Sequence, residues 1–306
     1  NVFEFVNRLP WDYNKHALDV EKKYKKIKLS RKRKDFIVNH YYGAIQKGKK
    51  IQFEVSHSKN QIEDQLPSNF SHKNENIIIF LSSEFEYVGL GGIYDKKIYK
   101  NQQTAIDKIC KDLSKKKHNI KIWVRVHPNL SDVKWAYMKK FYDIEKKYKF
   151  SNLISASSNI SSYALLKHAS KIITFGSRMG IEAVYAKKPS IILFRNFYEK
   201  LNSNYIPKNH KEVLKLINSD LKPKSILASE KYALYSYIGG NKLKGFKGSY
   251  DTGFSFHNNK IKLNTINKLL YFFGRFVDKF YYHYLRNIGL KTYLKSFFIN
   301  FEKFKN

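Results

Sequence analysis

The clearest pattern in the sequence is an alternation of short apolar runs with longer segments of helical spacing, between residues 76 and 196. The short runs are rich in β-branched residues and have the length of buried strands. They cover residues 77–81, 120–126, 152–155, 171–175 and 190–194. Helices are predicted between them, at 104–115, at 132–147, around residue 165 and from about residue 178. This alternation predicts an α/β fold with a parallel sheet and helices on its faces.

The end of the predicted strand 171–175 is the first candidate for chemistry. Gly176 and Ser177 break the strand, and a helix begins near Arg178 and Met179. In open parallel sheets, ligands bind beyond the carboxyl ends of the strands, where helix N-termini favour phosphate. Glycine allows close approach of the backbone, Ser177 offers a hydroxyl and Arg178 offers a positive charge. This turn is therefore a candidate phosphate site.

Two residues of the following helix extend this candidate site. Gly180 would also let the backbone approach a ligand, and Glu182 could accept hydrogen bonds from two vicinal sugar hydroxyls. The alternative is a plain strand-to-helix turn, in which Ser177 caps the helix and Glu182 only complements its dipole. Short Gly/Ser patterns are common, so this motif needs support from other strand ends.

The first predicted strand, 77–81, also ends in polar residues. Ser82, Ser83, Glu84 and Glu86 follow it directly, and glycines come next. A carboxylate at a strand end is a candidate general base or hydroxyl ligand. A serine cap with a flexible connection is the alternative. Because both strands belong to one predicted sheet, their polar ends should share one crevice.

A third strand end, that of 120–126, carries Arg125, His127 and Pro128. Proline stops the strand and fixes the local backbone. A histidine here can donate a hydrogen bond to a phosphate oxygen or, as imidazolium, stabilise a leaving phosphate. In the alternative interpretation its ring only bonds a loop carbonyl. Three strand ends thus place polar residues at one predicted edge.

Size and composition narrow the class of protein. The chain of 306 residues is 42% hydrophobic and 16% aromatic, which argues against disorder and allows a sizeable core. The single cysteine, Cys110, excludes an internal disulfide and fits a reducing cytoplasm. No apolar run reaches the length of a membrane span, and the start has no secretion signal. We therefore expect a cytoplasmic protein.

The net charge of +33 has two explanations. An anionic partner such as nucleic acid or a membrane surface is one. Compositional drift is the other, because Lys, Asn and Ile abound while Arg is scarce. Dedicated nucleic-acid recognition would use more Arg, so we expect drift with some membrane attraction and no nucleic-acid partner.

The chain outside the predicted sheet is less regular. A loop leads into a helix after Pro10, a run rich in Lys and Arg at 21–36 suggests a solvated helix face, and 56–75 suggests a linker or surface loop. Further helices are predicted at 207–218 and 225–238, with a glycine-rich basic loop after them. From residue 269 to 301, aromatic residues follow helical spacing opposite Lys and Arg. That segment either packs on its own protein or lies at a membrane interface.

The motifs "FLSSEFEYVGLG", "VRVHPN" and "SSYALLKHASKIITFGSRMGIEAVYAKKPSII" resemble, in order and spacing, the capsule polysaccharide biosynthesis proteins. The resemblance covers about residues 76–196. It implies a cytoplasmic glycosyltransferase of the GT-B type, similar to the Kdo transferases of capsule glycolipids and, more loosely, to CDP-glycerol glycerophosphotransferases. It implies a nucleotide-sugar donor as substrate, with CMP-Kdo one example, and a glycan or glycolipid acceptor. The sequence contains no metal motif, so we expect no metal and no cofactor.

The resemblance also implies roles for individual residues. His127 of the His-Pro motif, Ser177 and the amides of the turn from Gly176 to Gly180 would contact the donor phosphates, and Glu182 would hold the ribose. The full set of expected donor-binding residues is Ser82, Ser83, Arg125, His127, Pro128, Gly176, Ser177, Arg178, Met179, Gly180 and Glu182. The expected catalytic residues are Glu84, Glu86 and His127.

The chain departs from the family pattern at its N-terminal side. GT-B enzymes have two Rossmann-like domains, yet only about 75 residues precede the donor domain here. We expect residues 1–75 to be a remnant of an acceptor domain or a linker, 76–220 to form the nucleotide-sugar-binding domain, and 221–306 to form a basic, aromatic, helical region. The first domain is then reduced, absent or outside this chain, which leaves the catalytic base in doubt.

Three other functions remain open at this point. A CDP-alcohol-dependent polyol-phosphate transferase would use similar strand-end residues to move a phosphoryl group. A basic nucleic-acid-binding protein would show steeply salt-dependent binding, although the sequence contains none of the recognised modules. An inactive scaffold would keep the fold and bind no nucleotide.

Overall fold

The computed structural model describes residues 13–49, 58, 60–84, 98–115, 119–131, 135–238, 246–249, 253–257 and 259–260. The chain divides into two compact units. The larger unit comprises residues 2–131 and 140–242, and the smaller comprises Asn1, 132–139 and 243–306. The larger unit contains the predicted sheet and those predicted site residues that belong to the described ranges.

The predicted α/β fold with a parallel, Rossmann-like sheet is confirmed. Five strands pair in parallel in the order β3-β2-β1-β4-β5. Their bounds are β1 Glu75–Phe80, β2 Ile120–Arg125, β3 Ser151–Ile154, β4 Lys171–Thr174 and β5 Ser190–Ile192. Because the chain turns back after β3 to place β4 on the other side of β1, the sheet has a topological switch point between β1 and β4.

The central strands form where the sequence is apolar on both faces. All residues of β4, and all but the first of β1, are buried. Such burial explains the continuous Ile-rich runs, which differ from the alternating pattern of a half-exposed strand. One polar bond anchors this core, since the indole of Trp123 donates to Oδ1 of Asn76 at 2.9 Å. The edge strand β3 is only partly buried.

Eight α-helices lie in the described part of the chain. Their bounds are α1 Tyr13–Lys26, α2 Arg31–Gln46, α3 Gln102–Leu113, α4 Trp135–Lys147, α5 Ser162–His168, α6 Met179–Tyr185, α7 His210–Asn218 and α8 Leu227–Ile238. The helices predicted between the strands and at 207–218 and 225–238 agree with these within a few residues. None of the helices in the described ranges is long and apolar enough to cross a membrane.

The first two helices pack on the last one of the larger unit. Ile37, Val38 and Tyr41 of α2 share a buried cluster with Ala233 and Leu234 of α8. The core of the larger unit therefore extends across both expected domain boundaries, at residues 75 and 220. Helix α2 begins inside the Lys- and Arg-rich run at 21–36, and its burial repeats at helical spacing only from Ile37 onward.

The smaller unit contains a three-stranded antiparallel sheet in its described part. The strands are β6 Phe246–Ser249, β7 Gly253–Phe256 and β8 Asn259–Lys260. The expected glycine-rich loop of this region is wrong for residues 246–249 and 253–256, which pair as a hairpin. The aromatic helical pattern at 269–301 lies outside the described residues.

Candidate functional site

A cavity of about 220 Å³ lies at the carboxyl ends of β1, β2 and β4, beside the switch point of the sheet. Ten of the eleven residues expected to bind a donor line its wall. These are Ser82, Ser83, Arg125, His127, Pro128, Gly176, Ser177, Arg178, Met179 and Glu182. The strands bring them together because parallel strands end at the same edge of the sheet.

The two serines after β1 have different surroundings. The Ser82 hydroxyl donates to the Phe175 carbonyl at 2.7 Å, which ties the end of β1 to the end of β4. The Ser82 backbone also exchanges two hydrogen bonds with the Gln102 amide, both 2.9 Å. Ser83 is buried at the cavity wall, and its hydroxyl has no hydrogen-bond partner in the part of the chain that the structure describes. Ser82 therefore joins the ends of β1 and β4, whereas Ser83 is a lining residue whose hydroxyl has no such structural bond in the described chain.

Of the two expected catalytic carboxylates, only Glu84 belongs to the part of the chain that the structure describes. Glu84 is buried, and its Oε1 accepts a hydrogen bond from the backbone N–H of Gln102 at 3.2 Å, at the N-terminus of α3. It lies outside the described lining of the cavity. A carboxylate at this position satisfies an otherwise unpaired helix N–H and complements the dipole. Glu86 lies outside the described residues.

Arg125 is the buried positive charge of the site. Its side chain is 3% exposed, and its guanidinium donates to the carbonyls of Ser155 at 2.7 Å and Ser158 at 2.9 Å. Burial lowers the pKa of Arg125 to about 10, which still leaves it charged at neutral pH. No carboxylate pairs with it among the described residues. Two of its five N–H groups are used by the carbonyls, so the rest can bind an anion in the cavity.

His127 begins the short 3-10 turn Pro128–Leu130. Its Nδ1 accepts a hydrogen bond from the backbone N–H of Asn129 at 3.2 Å. In the neutral ring this bond places the proton on Nε2, so the ring can donate a hydrogen bond through that atom. Pro128 fits the first position of the turn because its missing N–H would have no partner there.

The turn after β4 has the backbone conformation that only glycine adopts readily. Gly176 has φ +89°, and a Cβ there would lie 2.9 Å from the Arg195 carbonyl. The Asn196 amide donates to the Gly176 carbonyl, and the Tyr198 hydroxyl donates to the Ser177 carbonyl. The Ser177 Oγ accepts from the backbone N–H of Met179 at 3.3 Å. These bonds hold Ser177 at the cavity wall.

Gly180 is the expected donor-binding residue that lies outside the described lining. A Cβ at this position would overlap the Tyr198 hydroxyl and would lie 3.0 Å from Oγ1 of Thr174. Its carbonyl accepts a hydrogen bond from the Asn204 amide at 3.0 Å. The glycine is therefore explained by close packing of α6 against its neighbours.

Glu182 is 2% exposed and forms the centre of a small network. Its Oε1 accepts from Nε of Arg178 at 2.8 Å, and its Oε2 accepts from the Tyr163 hydroxyl at 2.7 Å. Each carboxylate oxygen has a further lone pair for a ligand hydroxyl. The ion pair neutralises Arg178 locally, so Arg125 supplies the uncompensated charge of the wall.

Four polar lining residues had no predicted role. They are Ser58, Gln61, Ser162 and Tyr163. Gln61 Oε1 accepts from the backbone N–H of Ser162 at 2.7 Å, which fastens the expected linker to the start of α5. Ser162 and Tyr163 could have been predicted as site residues from their position at the start of α5, since a helix that follows a parallel strand begins at the ligand-binding edge. Residues 58–65 carried no such signal.

A second cavity, of about 660 Å³, shares Ser58, Gln61 and Tyr163 with the first. Lys47, Lys167 and Lys188 contribute to its wall, as do the carboxylates of Glu63 and Asp64. Burial lowers the pKa of Lys188, whose ammonium donates to the Ala169 carbonyl at 3.1 Å. Within the described ranges, no group of three or more His, Cys, Asp or Glu side chains could hold a metal ion.

A sequence model of one protein family matches residues 10–201, well over half of the chain. Its description is "Capsule polysaccharide biosynthesis protein". The chain belongs to this family. The resemblance drawn from the strand-end motifs is thereby confirmed, and the match begins before them, at α1. A comparison of the sequence with curated proteins found no match.

Several solved structures are similar to this capsule biosynthesis protein. The Thermosulfurimonas dismutans KpsC β-Kdo 2,4-transferase matches at 15% identity, over 67% of this chain and 56% of its own, with a TM-score of 0.42. The β-Kdo 2,7-transferase of the same KpsC matches at 14%, over 77% and 65%, with a TM-score of 0.42. S. aureus MnaA with UDP matches at 15%, over 58% and 53%, with a TM-score of 0.36. The chain thus spans less than two thirds of the length of each.

Proposed function

We propose that this protein binds a nucleotide-sugar donor in the 220 Å³ cavity and transfers the sugar to a growing capsular or other surface polysaccharide. The observation that carries the proposal is Arg125, a buried charge at the cavity wall without a carboxylate partner in the described chain. An unpaired buried charge is costly, so such a site favours an anionic ligand. Family membership supports a role in capsule synthesis.

The donor phosphate, one group or two, is assigned to the β2 and β4 side of the cavity. Arg125 contributes the fixed charge, Nε2–H of His127 donates to a phosphate oxygen, and Ser177 adds its hydroxyl. Gly176 leaves room for the backbone of this turn to approach the phosphates. Charge-assisted hydrogen bonds of this kind are the strong ones in phosphate binding.

The ribose is assigned to Glu182. Two vicinal hydroxyls can donate to its two carboxylate oxygens while Tyr163 and Arg178 hold the carboxylate in place. Met179 offers an apolar surface beside it, and Ser83 a hydroxyl for another polar group of the donor. The nucleotide base and the sugar extend beyond this cavity, which is small for a whole nucleotide sugar.

In the proposed reaction, the acceptor hydroxyl oxygen forms a bond to the anomeric carbon of the donor. The bond from that carbon to the phosphate oxygen breaks, and the nucleotide leaves with the electron pair. The proton of the acceptor hydroxyl passes to water as the new bond forms. Arg125 and His127 stabilise the negative charge that develops on the leaving phosphate, so the transfer is proposed to need no metal and no resident cofactor. The acceptor is proposed to approach through the second cavity, which adjoins the first at Tyr163.

The experiment is a thermal-shift screen against CMP, CDP, GDP and UDP, followed by product analysis with the labelled nucleotide sugar. A nucleotide at 100 times its Kd should raise the stability by about 2.7 kcal/mol. The His127→Ala variant should bind with reduced affinity and turn over at least about 100-fold more slowly, whereas His40→Ala, at an exposed position on α2, should match the wild type. No response to any nucleotide, or unchanged turnover in His127→Ala, would contradict the proposal. Labelled product also separates sugar transfer from polyol-phosphate transfer.

A further inference from the structure

The turn between α1 and α2 exposes a dense group of positive charges. We call residues 22–33 the basic tip. Six of its side chains are exposed and have no acidic partner among the described residues: Lys22, Lys25, Lys26, Lys28, Lys32 and Arg33. No acidic residue lies between Glu21 and Asp35. The tip is therefore a concentrated positive patch on the larger unit.

The acidic residues next to the tip are already paired. Glu21 accepts two bonds of 2.7 Å from the Lys231 ammonium of α8. Arg31 pairs with Asp35 at 2.8 Å and donates to both oxygens of Glu230, at 3.0 and 2.7 Å. These pairs fasten the base of the hairpin to α8 and leave the six cations uncompensated.

Apolar side chains are exposed in and beside this charged patch. Leu29, in the turn, is 36% exposed, and Phe36, one turn beyond the tip on α2, is 58% exposed. The Arg33 guanidinium lies 5.2 Å from the Phe36 ring centroid. An exposed Leu and Phe among cations resemble the composition of surfaces that lie in the headgroup boundary of a bilayer.

We propose that the basic tip docks the protein on an anionic lipid surface. Lysines on flexible stems reach phosphate headgroups while their methylenes and Leu29 contact the acyl boundary. Each cation near such a surface contributes about fivefold to partitioning. Clusters of four to eight Lys or Arg are typical of anionic-lipid binding, and the basic tip has six such cations within residues 22–33. This proposal does not depend on the proposed transfer reaction.

The composition of the tip favours lipid over nucleic acid. Nucleic-acid recognition relies on the planar, bidentate guanidinium of Arg. Five of the six uncompensated cations are Lys, and Arg31 is already engaged by Asp35 and Glu230. Leu29 has no use in phosphate-backbone binding, whereas it adds buried apolar area at a bilayer.

The tip and the cavity lie at opposite ends of α2. Arg31 and Ile45 are separated by about 21 Å at 1.5 Å per residue. At the far end, the Ser58 hydroxyl of the cavity wall donates to the Ile45 carbonyl at 3.0 Å. The proposed lipid contact and the cavity wall are therefore about one helix length apart along α2, so docking through the tip would leave the cavity uncovered.

The test is co-sedimentation of the full chain with phosphatidylcholine vesicles, with and without phosphatidylglycerol. The wild type should bind only the anionic vesicles. The variant with Lys25, Lys26, Lys28 and Lys32 all changed to Gln should bind at least about 100-fold less, because four charges at about fivefold each multiply to several hundredfold. Leu29→Ser alone should bind a fewfold less, which tests the apolar contact separately from the charge.

The matched control changes Lys200, Lys208, Lys211 and Lys215 to Gln. These lysines are exposed elsewhere on the larger unit, so the control removes the same charge. It should keep near wild-type binding, and both variants should melt like the wild type because the side chains are exposed. Failure of the wild type to bind anionic vesicles, or equal losses in the two variants, would overturn the proposal. So would a tip variant that loses binding to duplex DNA or RNA but not to vesicles.

Discussion

The Tyr163 hydroxyl donates to Oε2 of Glu182 at 2.7 Å and so joins α5 to α6 across the wall of the cavity. Glu182 also accepts from Arg178 at 2.8 Å, so its carboxylate is held from two sides. Holding it in this way orients its remaining lone pairs without movement of the side chain when a ligand binds. Tyr163, which carried no predicted role, is thus a positioning residue for the proposed ribose contact.

Removing that hydroxyl should weaken nucleotide binding as well as the fold. Tyr163→Phe loses one hydrogen bond and should lower the free energy of unfolding by about 1 kcal/mol. We expect it to reduce nucleotide affinity by about fivefold to tenfold, measured by calorimetry, because Glu182 loses one of its two supports. The matched control is Tyr185→Phe, which removes a hydroxyl bonded to Asn39 outside the cavity lining. Equal affinity losses in the two variants would contradict the positioning role.

Alanine substitution of the two serines after β1 should have different effects, because the Ser82 hydroxyl is structural and the Ser83 hydroxyl is proposed to bind ligand. Ser82→Ala removes the buried bond to the Phe175 carbonyl and should lower the free energy of unfolding by about 1–3 kcal/mol. Ser83→Ala removes a hydroxyl without a partner in the described chain, so stability should change little while nucleotide affinity falls. Urea unfolding and calorimetry of both variants provide the measurement. The reverse pattern would be incompatible with this assignment.

Alanine substitution should lower the free energy of unfolding at Gly176 and raise it at Gly43. Gly176→Ala forces an L side chain to φ +89° and places Cβ 2.9 Å from the Arg195 carbonyl, which should cost at least about 1–3 kcal/mol. Gly43→Ala lies inside α2 with no atom within 4 Å of the new Cβ, so it should gain about 0.5–1 kcal/mol. Urea denaturation at constant pH measures both. A tolerated Gly176→Ala would show that the turn can relax.

The sheet and the cavity were predictable because both follow from local patterns. Each strand of the sheet is a short apolar run, and parallel pairing alone brings the residues after β1, β2 and β4 to one edge. Three polar motifs at those positions therefore had to meet. The prediction needed no knowledge of side-chain contacts, only the rule that parallel strands end together.

The features that sequence reasoning missed depend on contacts between distant segments. Tyr42 donates to the Ser229 carbonyl at 2.9 Å, 187 residues away, and nothing in the local sequence of α2 indicates that partner. The same holds for Gln61, whose contact with Ser162 brings a polar loop to the cavity wall. The role of Glu84 cannot be read from sequence alone, because a carboxylate that bonds a helix N-terminus and one that serves as a base look alike there.

Replacing Arg125 by Lys should keep the positive charge but lose the two-pronged hydrogen bonding of the guanidinium. One ammonium cannot reproduce the fork that reaches both Ser155 and Ser158. We expect at least about tenfold weaker nucleotide binding and a loss of about 1–2 kcal/mol in stability, because a buried carbonyl loses its donor. Arg33→Lys, at an exposed position, is the control and should leave both quantities unchanged. Full nucleotide affinity in Arg125→Lys would remove Arg125 from the phosphate site.

The last prediction separates the two roles of Glu84. If its carboxylate serves the N-terminus of α3, Glu84→Gln keeps an oxygen that can accept from the Gln102 N–H, and turnover should stay within about threefold of the wild type. A general base cannot be replaced by an amide, and its loss costs about 100-fold to 10,000-fold. Turnover under saturating donor and acceptor distinguishes the two, with Glu86→Gln measured in parallel because that residue remains the other expected base. A loss of activity of about 100-fold or more in Glu84→Gln, with an unchanged melting temperature, would show that Glu84 serves as the base. Its carboxylate would then have to reach the acceptor from the end of β1.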